Sequence, residues 1–229
     1  MRVFGLVLLA AATAAGAQVT TFDNGTEGWS VSGRDDISLS GGNPGAHMDV
    51  QMFDVFGADT RNSSAAFTGD FRGRGLLSFT IDVQVDNIDF FGQQVSRDLV
   101  VELRNYDTPG TGSFASVWAH LGTLSPQQGW TTYSMDLDTW ATDLPSGWNG
   151  AGDEDPNTFE PILPPGVGLQ DVLSGVDEIA FTTFVPGFFF GFTNFDMSVD
   201  NVGIVVPAPG VALMLPMGAL FAGRRRRAQ

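Results

Sequence analysis

Without a single cysteine, this chain must draw any chemistry from its 26 acidic residues, its two histidines or its aromatic rings. Asp153, Asp155 and Asn157 have the i, i+2, i+4 oxygen spacing that opens a calcium loop. Thr158 and Pro164, however, stand where an EF-hand needs glycine and glutamate. An EF-hand is excluded, and the segment reads as a solvated acidic loop. His47 and His120 could each be drawn into a Ser-His-Asp grouping, but no G-x-S-x-G elbow presents a nucleophile, and both read as structural histidines. A glycosidase pair of carboxylates is defined by its separation in space, and nothing in the spacing along the chain favours one. No catalytic residue is assigned, and the protein reads as a non-enzyme.

Rings are the more suggestive groups, because sugars present apolar faces that stack on flat side chains. Trp140 and Trp148 belong to a stretch with Pro145, Gly147, Gly150 and Gly152, which reads as too broken for a core strand. Both are expected at the rim of the domain as ligand-binding residues, with a core position the alternative for Trp148. Between Phe184 and Phe192 lie further phenylalanines. Phe188, Phe190 and Phe192 read as a core-facing strand stripe, whereas an exposed patch there would mark an interaction site.

The elements that must position these groups are short strands. Leu77, Phe79, Ile81, Val83 and Val85 alternate with Ser78, Thr80, Asp82 and Gln84, the period of two of a half-buried antiparallel strand. Leu99, Val101 and Leu103 repeat it against Glu102 and Arg104, and Thr131, Tyr133, Met135 and Leu137 against Thr132, Ser134 and Asp136. Further strands are expected at 19–22, 37–39, 47–51, 116–121, 178–184 and 195–205. One short helix is expected at 169–173, closed by Gly175. Long loops are expected at 52–62 and 138–168. Many short strands with almost no helix define an all-β antiparallel β-sandwich of the jelly-roll kind.

The two ends read as addresses. Arg2, an apolar run from Val3 and the small residues Ala15, Gly16 and Ala17 form a cleavable signal peptide, residues 1–17. At the other end, residues 207–229 join Pro207-Ala208-Pro209-Gly210 to an apolar run and then to Arg224, Arg225, Arg226 and Arg227. Such a run forms a short apolar helix, marginal for a permanent span, with its arginines on the cytoplasmic side. The body between them, 18–206, is one β-domain with 6 arginines, no lysine and all 26 acids, a formal charge of −20. That balance repels nucleic acid and anionic lipid.

The tail resembles the PEP-CTERM sorting signal of bacterial exported proteins, with Ala208 where that signal has glutamate. The resemblance implies processing by an exosortase-like enzyme and membrane contact through the tail before processing, a plain anchor being the alternative. The body, in turn, carries Thr21-Phe22-Asp23-Asn24-Gly25, Gly28-Trp29, Gly41-Gly42-Asn43-Pro44-Gly45, Phe67-Thr68-Gly69-Asp70, Gly129-Trp130 and Val199-Asp200-Asn201-Val202 in that order. In this order they resemble the laminin B type of jelly roll, close to galactose-binding-like and carbohydrate-binding modules. In folds of that kind the first and last strands run together, often tied by a structural calcium ion. The resemblance therefore implies Asp23 and Asp200 as metal ligands.

The function expected is that of an exported bacterial cell-surface or extracellular-matrix protein, non-catalytic and binding polysaccharide weakly. The alternatives are a secreted polysaccharide-active enzyme and a structural envelope protein without a specific ligand.

Overall fold

The computed structural model describes residues 17–32, 36–108, 114–188 and 191–206; the signal-peptide and sorting-tail readings lie outside these residues. In chain order, β1 (Gln18–Thr20), β2 (Ser30–Val31), β3 (Ile37–Gly42), β4 (Gly45–Val55) and β5 (Asp59–Asn62) precede the long β6 (Leu76–Phe90). Next come β7 (Gln93–Gln94), β8 (Arg97–Asn105), β9 (Ala115–Leu124), β10 (Gln128–Asp138), β11 (Trp148–Ala151), β12 (Asp153–Glu154) and β13 (Pro161–Ile162). The helix α1 (Leu169–Leu173), β14 (Glu178–Thr182) and β15 (Thr193–Val205) complete the chain.

These strands form an all-β antiparallel jelly-roll sandwich. One sheet runs β10-β6-β15-β4-β3, with β1 added on β15 and β7 on β6; the other runs β11-β9-β8-β14-β5-β2. The alternation along β6 is obeyed: Leu77, Phe79, Ile81, Val83 and Val85 all point into the core. Opposite them, β8 and β14 contribute Leu99, Val101, Leu103, Ile179 and Phe181, all buried. Trp29 meets Phe67 edge-on at 5.0 Å and lies 5.9 Å from Phe181, fixing one end of the core. The helix has the expected bounds, and Asp171 Oδ2 accepts from the Gly168 amide at its start. It closes that end of the sandwich with buried Leu169, Val172 and Leu173.

Two expected loops are partly strands. Residues 52–55 continue β4, and residues 59–62 form β5, whose partner β14 is met in register from Asn62↔Ile179 to Asp59↔Thr182. Asp59 and Arg61 stand on the outer face of the sheet, whereas Asn62, buried on the other face, donates to Glu27 O and accepts from the Ser64 amide. The stretch 148–151 is likewise a strand, paired with β9 from Trp148↔Ala119 to Ala151↔Ser116. Its glycine is tolerated at a sheet edge, and Leu163 packs where a Cβ on Gly150 would sit.

Candidate functional site

A cleft of about 480 Å³ lies on the outer face of the six-stranded sheet, lined by residues from β8, β11, β12, β13 and the loop after β14. Its floor follows from the alternation along β8. With Val101 and Leu103 facing the core, Glu102 and Arg104 must face outward, and Ser116 of β9, Glu178 of β14 and Asp59 of β5 share that face. The outward face is nonetheless covered, so all five polar residues are buried.

Arg104 holds this floor together. Its Nε donates to Glu102 Oε2 at 2.8 Å and its Nη1 to Glu178 Oε1 at 2.7 Å, while Nη2 lies 3.4 Å from Asp59 Oδ1. Ser116 Oγ donates to the other Glu102 oxygen at 2.6 Å, and the Tyr106 hydroxyl donates to Glu178 at 3.1 Å. Burial acts to lower the pKa of the Arg104 guanidinium, but the charges of Glu102 and Asp59 and the bonds to Glu178 and Glu102 outweigh it and raise it. Burial, followed by the Glu178 charge, pushes the Tyr106 hydroxyl up as well.

The walls carry the rings. Phe114 precedes β9, and the Arg104 guanidinium stands 5.2 Å from its ring centre. The hairpin of β12 and β13 carries Phe159 at its turn, 73% exposed. Phe159 has φ 59°, a left-handed conformation that a bulky side chain rarely adopts, and its amide donates to Asp155 O at 2.8 Å. Asp155 fixes the same turn by accepting from the Asn157 and Thr158 amides, which lowers its pKa. This is the solvated acidic loop expected from the sequence. The facing wall is the 184–187 turn with Phe184, 42% exposed, and it approaches so closely that a Cβ on Gly187 would lie 2.6 Å from Pro161 Cδ.

The residues expected to bind ligand fall elsewhere. Trp148 is 4% exposed: its ring meets Phe79 edge-on at 5.9 Å, and its Nε1 donates to Asp136 O at 2.9 Å. It is a core residue, because β11 pairs with β9 and turns the indole inward, and its place as a rim residue is corrected. Trp140 is 70% exposed and packs beside Gly73, apart from the cleft. The phenylalanine stripe is also corrected. Phe188 is 66% exposed and Phe192 is exposed against Phe56, 4.7 Å between ring centres, because a turn closed by the Phe188 amide on Val185 O interrupts any strand. Phe190 lies outside the described residues.

Asp23 and Asp200 converge on one hairpin, residues 41–46, which includes the cis Asn43–Pro44 peptide. Asp23 Oδ1 accepts from the Ala46 amide at 3.1 Å and Asp200 Oδ2 from the Asn43 amide at 2.6 Å. Asp82, next to Asp200 across β6 and β15, accepts from Asn43 Nδ2 and Asn201 Nδ2. Burial, then the Asn43 and Asn201 amides acting in the opposite sense, and the Asp82 charge leave the Asp200 carboxyl raised overall. A Cβ on Gly42 would meet both Ala46 O and Asp200 Oδ2, so two oxygens already face one small space. Among the described residues no group of three or more acidic, histidine or cysteine side chains surrounds such a point. An ion here would therefore depend on backbone carbonyls to complete its shell.

Neither histidine joins a triad. His120 Nε2 lies 3.3 Å from Asp98 on the surface, and His47 is buried edge-on to Trp130. Among the described residues neither is hydrogen-bonded to a serine.

Glu102, Arg104, Glu178, Phe114 and Phe159 were not singled out as a site by the sequence, and Phe184 entered only as the start of a phenylalanine stretch that could form an exposed patch. The available signal was Glu102 and Arg104, opposite charges two residues apart on one face of a strand, in a body with only 6 arginines.

No family model matches the chain, and no curated protein matches it. Solved structures of similar fold include the family 11 carbohydrate-binding module of a cellulosomal cellulase of Clostridium thermocellum, at 14% identity and a TM-score of 0.49, covering 84% of this chain and 96% of that one. A family 22 carbohydrate-binding module of a Clostridium thermocellum xylanase is similar at 13% identity and a TM-score of 0.45, over 87% of this chain and 100% of that one. An exo-beta-agarase is similar at 15% identity and a TM-score of 0.46, over 85% of this chain but 26% of its own length.

Proposed function

We propose that the sandwich binds a polysaccharide chain in the cleft over its six-stranded sheet, without catalysis, as the body of an exported bacterial cell-surface or extracellular-matrix protein. The observation that carries this reading is the cleft itself: an open trough with a rigid, fully paired polar floor and phenylalanine rings on its walls. Apolar faces of sugar rings stack on such side chains, each contact contributing roughly 0.5 to 1.5 kcal/mol beyond its buried area. Two or three contacts give weak affinity, strengthened on a repeating polymer. Trp140 offers another exposed ring outside the cleft.

Neither carboxylate of the floor is placed to act as a general acid or base. Glu102 accepts hydrogen bonds on both carboxylate oxygens, and Glu178 is bound to Arg104 and Tyr106. A general acid or base needs a carboxyl within reach of the substrate and free to exchange a proton. These two are occupied.

The test is affinity electrophoresis of the protein through gels containing different polysaccharides. Phe159→Ala and Phe184→Ala are expected to lose retention with an unchanged melting temperature. Full retention by the double variant would remove the cleft from the account, and release of reducing ends from a retained glycan would favour the enzyme reading.

We also propose that Asp23 and Asp200 hold a structural calcium ion at the 41–46 hairpin. Calcium takes six to eight oxygen ligands, and both carboxylates and Ala46 O are of the right kind. The ion would supply charge compensation for Asp200 beside Asp82, and its measure is the melting temperature under chelation. The tail reading carries the remaining proposals: membrane contact before processing, and an exosortase-like enzyme as processing partner.

A further inference from the structure

The charges around the cleft sort polysaccharides by chemistry. Among the described residues its lining holds one cation, Arg104, against Glu102, Asp153 and Glu154. Arg104 is engaged from below by Glu102, Glu178 and Asp59, so its guanidinium is already shared among three carboxylates. The next arginine on that face, Arg61, lies 3.8 Å from Asp59. Lysine is absent from the whole chain. A uronate or a sulfated sugar entering this space would meet carboxylates, and the one cation among the described lining residues is already shared.

The rings act in the same direction. Phe114, Phe159 and Phe184 line the cleft together with Asp153 and Glu154. An aromatic face carries negative charge at its centre and attracts ammonium groups, an attraction that a neighbouring carboxylate reinforces. Carboxylates and aromatic faces on one wall form a donor set for a protonated amine. A neutral sugar would use the rings and donate hydroxyls to the carboxylates, without the attraction between opposite charges.

Resting on the reading of the cleft as a polysaccharide site, we infer that it selects sugar chains bearing free amines, deacetylated amino-sugar polymers, over neutral and acidic chains. The β12–β13 hairpin is the selecting element. It brings Asp153, Glu154 and Phe159 to one edge of the trough, where the amine of a bound residue meets charge and ring together.

Calorimetric titration of the protein with a glucosamine hexamer, its N-acetylated counterpart and a hexauronate, at pH 6 and physiological salt, tests this. The free-amine hexamer is expected to bind about tenfold more tightly than the acetylated one, with no binding of the hexauronate. Asp153→Asn with Glu154→Gln should abolish that preference while keeping the affinity for the acetylated hexamer. Asp49→Asn with Asp86→Asn, which removes two charges beside Asp196 in the other sheet, should keep the preference. Equal binding of the two hexamers, with Phe159→Ala weakening both, would overturn the amine selectivity and leave the polysaccharide site standing. A loss of preference in the Asp49 and Asp86 variant equal to that in the hairpin variant would overturn it too, by assigning the effect to overall charge. A hexalysine peptide bound as tightly as the amino sugar would overturn the choice of a sugar chain. If no saccharide binds here and none is retained in the gels, the polysaccharide reading itself fails and the selectivity falls with it.

Discussion

Replacing Trp148 by alanine is expected to destabilise the domain by about 3 to 5 kcal/mol, the usual range for emptying a buried aromatic position. The structure places this residue within that range for two reasons. Its ring is 4% exposed and packs on Phe79, so its removal leaves a cavity between the sheets rather than a dent in the surface. Its Nε1 also donates to Asp136 O, and a carbonyl losing that partner contributes on the order of 1 kcal/mol. For a domain of this size each kcal/mol lowers the melting temperature by about 2 to 4 °C, so a fall of roughly 6 to 20 °C is expected. Trp140→Ala, at a position 70% exposed, should stay within about 1 kcal/mol of the parent. Urea titration followed by far-ultraviolet circular dichroism compares the two directly. A Trp148→Ala protein as stable as the parent would refute the inward packing of the indole and return that residue to the rim.

Two further outcomes follow from acidic side chains. Burial, with the charges of Asp86 and Asp49 adding to it, raises the Asp196 carboxyl above its ordinary 3.8. Its folded form therefore keeps the proton longer than the unfolded chain does, and stability present below about pH 3.8 is lost as pH rises through the folded value. Asp196→Asn should thus be more stable than the parent at pH 7 and no different below pH 3.8; a loss of stability at pH 7 would contradict the sign. For the proposed calcium ion, an excess of about a hundredfold over its Kd stabilises the fold by roughly 2.7 kcal/mol. EDTA should accordingly lower the melting temperature by several degrees in the parent but not in Asp200→Ala, and an unchanged transition in the parent would remove the ion.

The fold was largely legible because alternation reports directly on a sheet with one face in the core. Leu77 to Val85 and Leu99 to Leu103 behave as their spacing requires, and the helix at Leu169–Leu173 has the expected bounds. The alternation fails as a guide where a strand is short, lies at an edge or has both faces covered. Residues 148–151 form such an edge strand, and the glycines at 147, 150 and 152 disguised a buried tryptophan. The 184–192 stretch failed in the opposite direction: phenylalanines in a row read as core, but the turn at Pro186 and Gly187 exposes Phe188. The cleft was the least legible feature. Its floor joins Asp59, Glu102, Arg104 and Glu178, residues up to 119 positions apart that only sheet order brings together. Asp23 and Asp200 were singled out on the resemblance rather than on any periodicity, and both accept hydrogen bonds from the 41–46 hairpin.

The pairing of β1 with β15 has a mechanical consequence. Gln18 is opposite Ile204, so the two ends of the body leave from neighbouring strands, about 4.8 Å apart in the hydrogen-bonding direction. Tension applied between those ends pulls on an antiparallel pair from one side and opens its ladder bond by bond, the compliant way to load a sheet. The three residues of β1 are the first to yield, and the Asp23 turn that follows them is next in line. The cleft, carried by the other sheet, lies outside the load path between those two ends and keeps its shape while β1 opens.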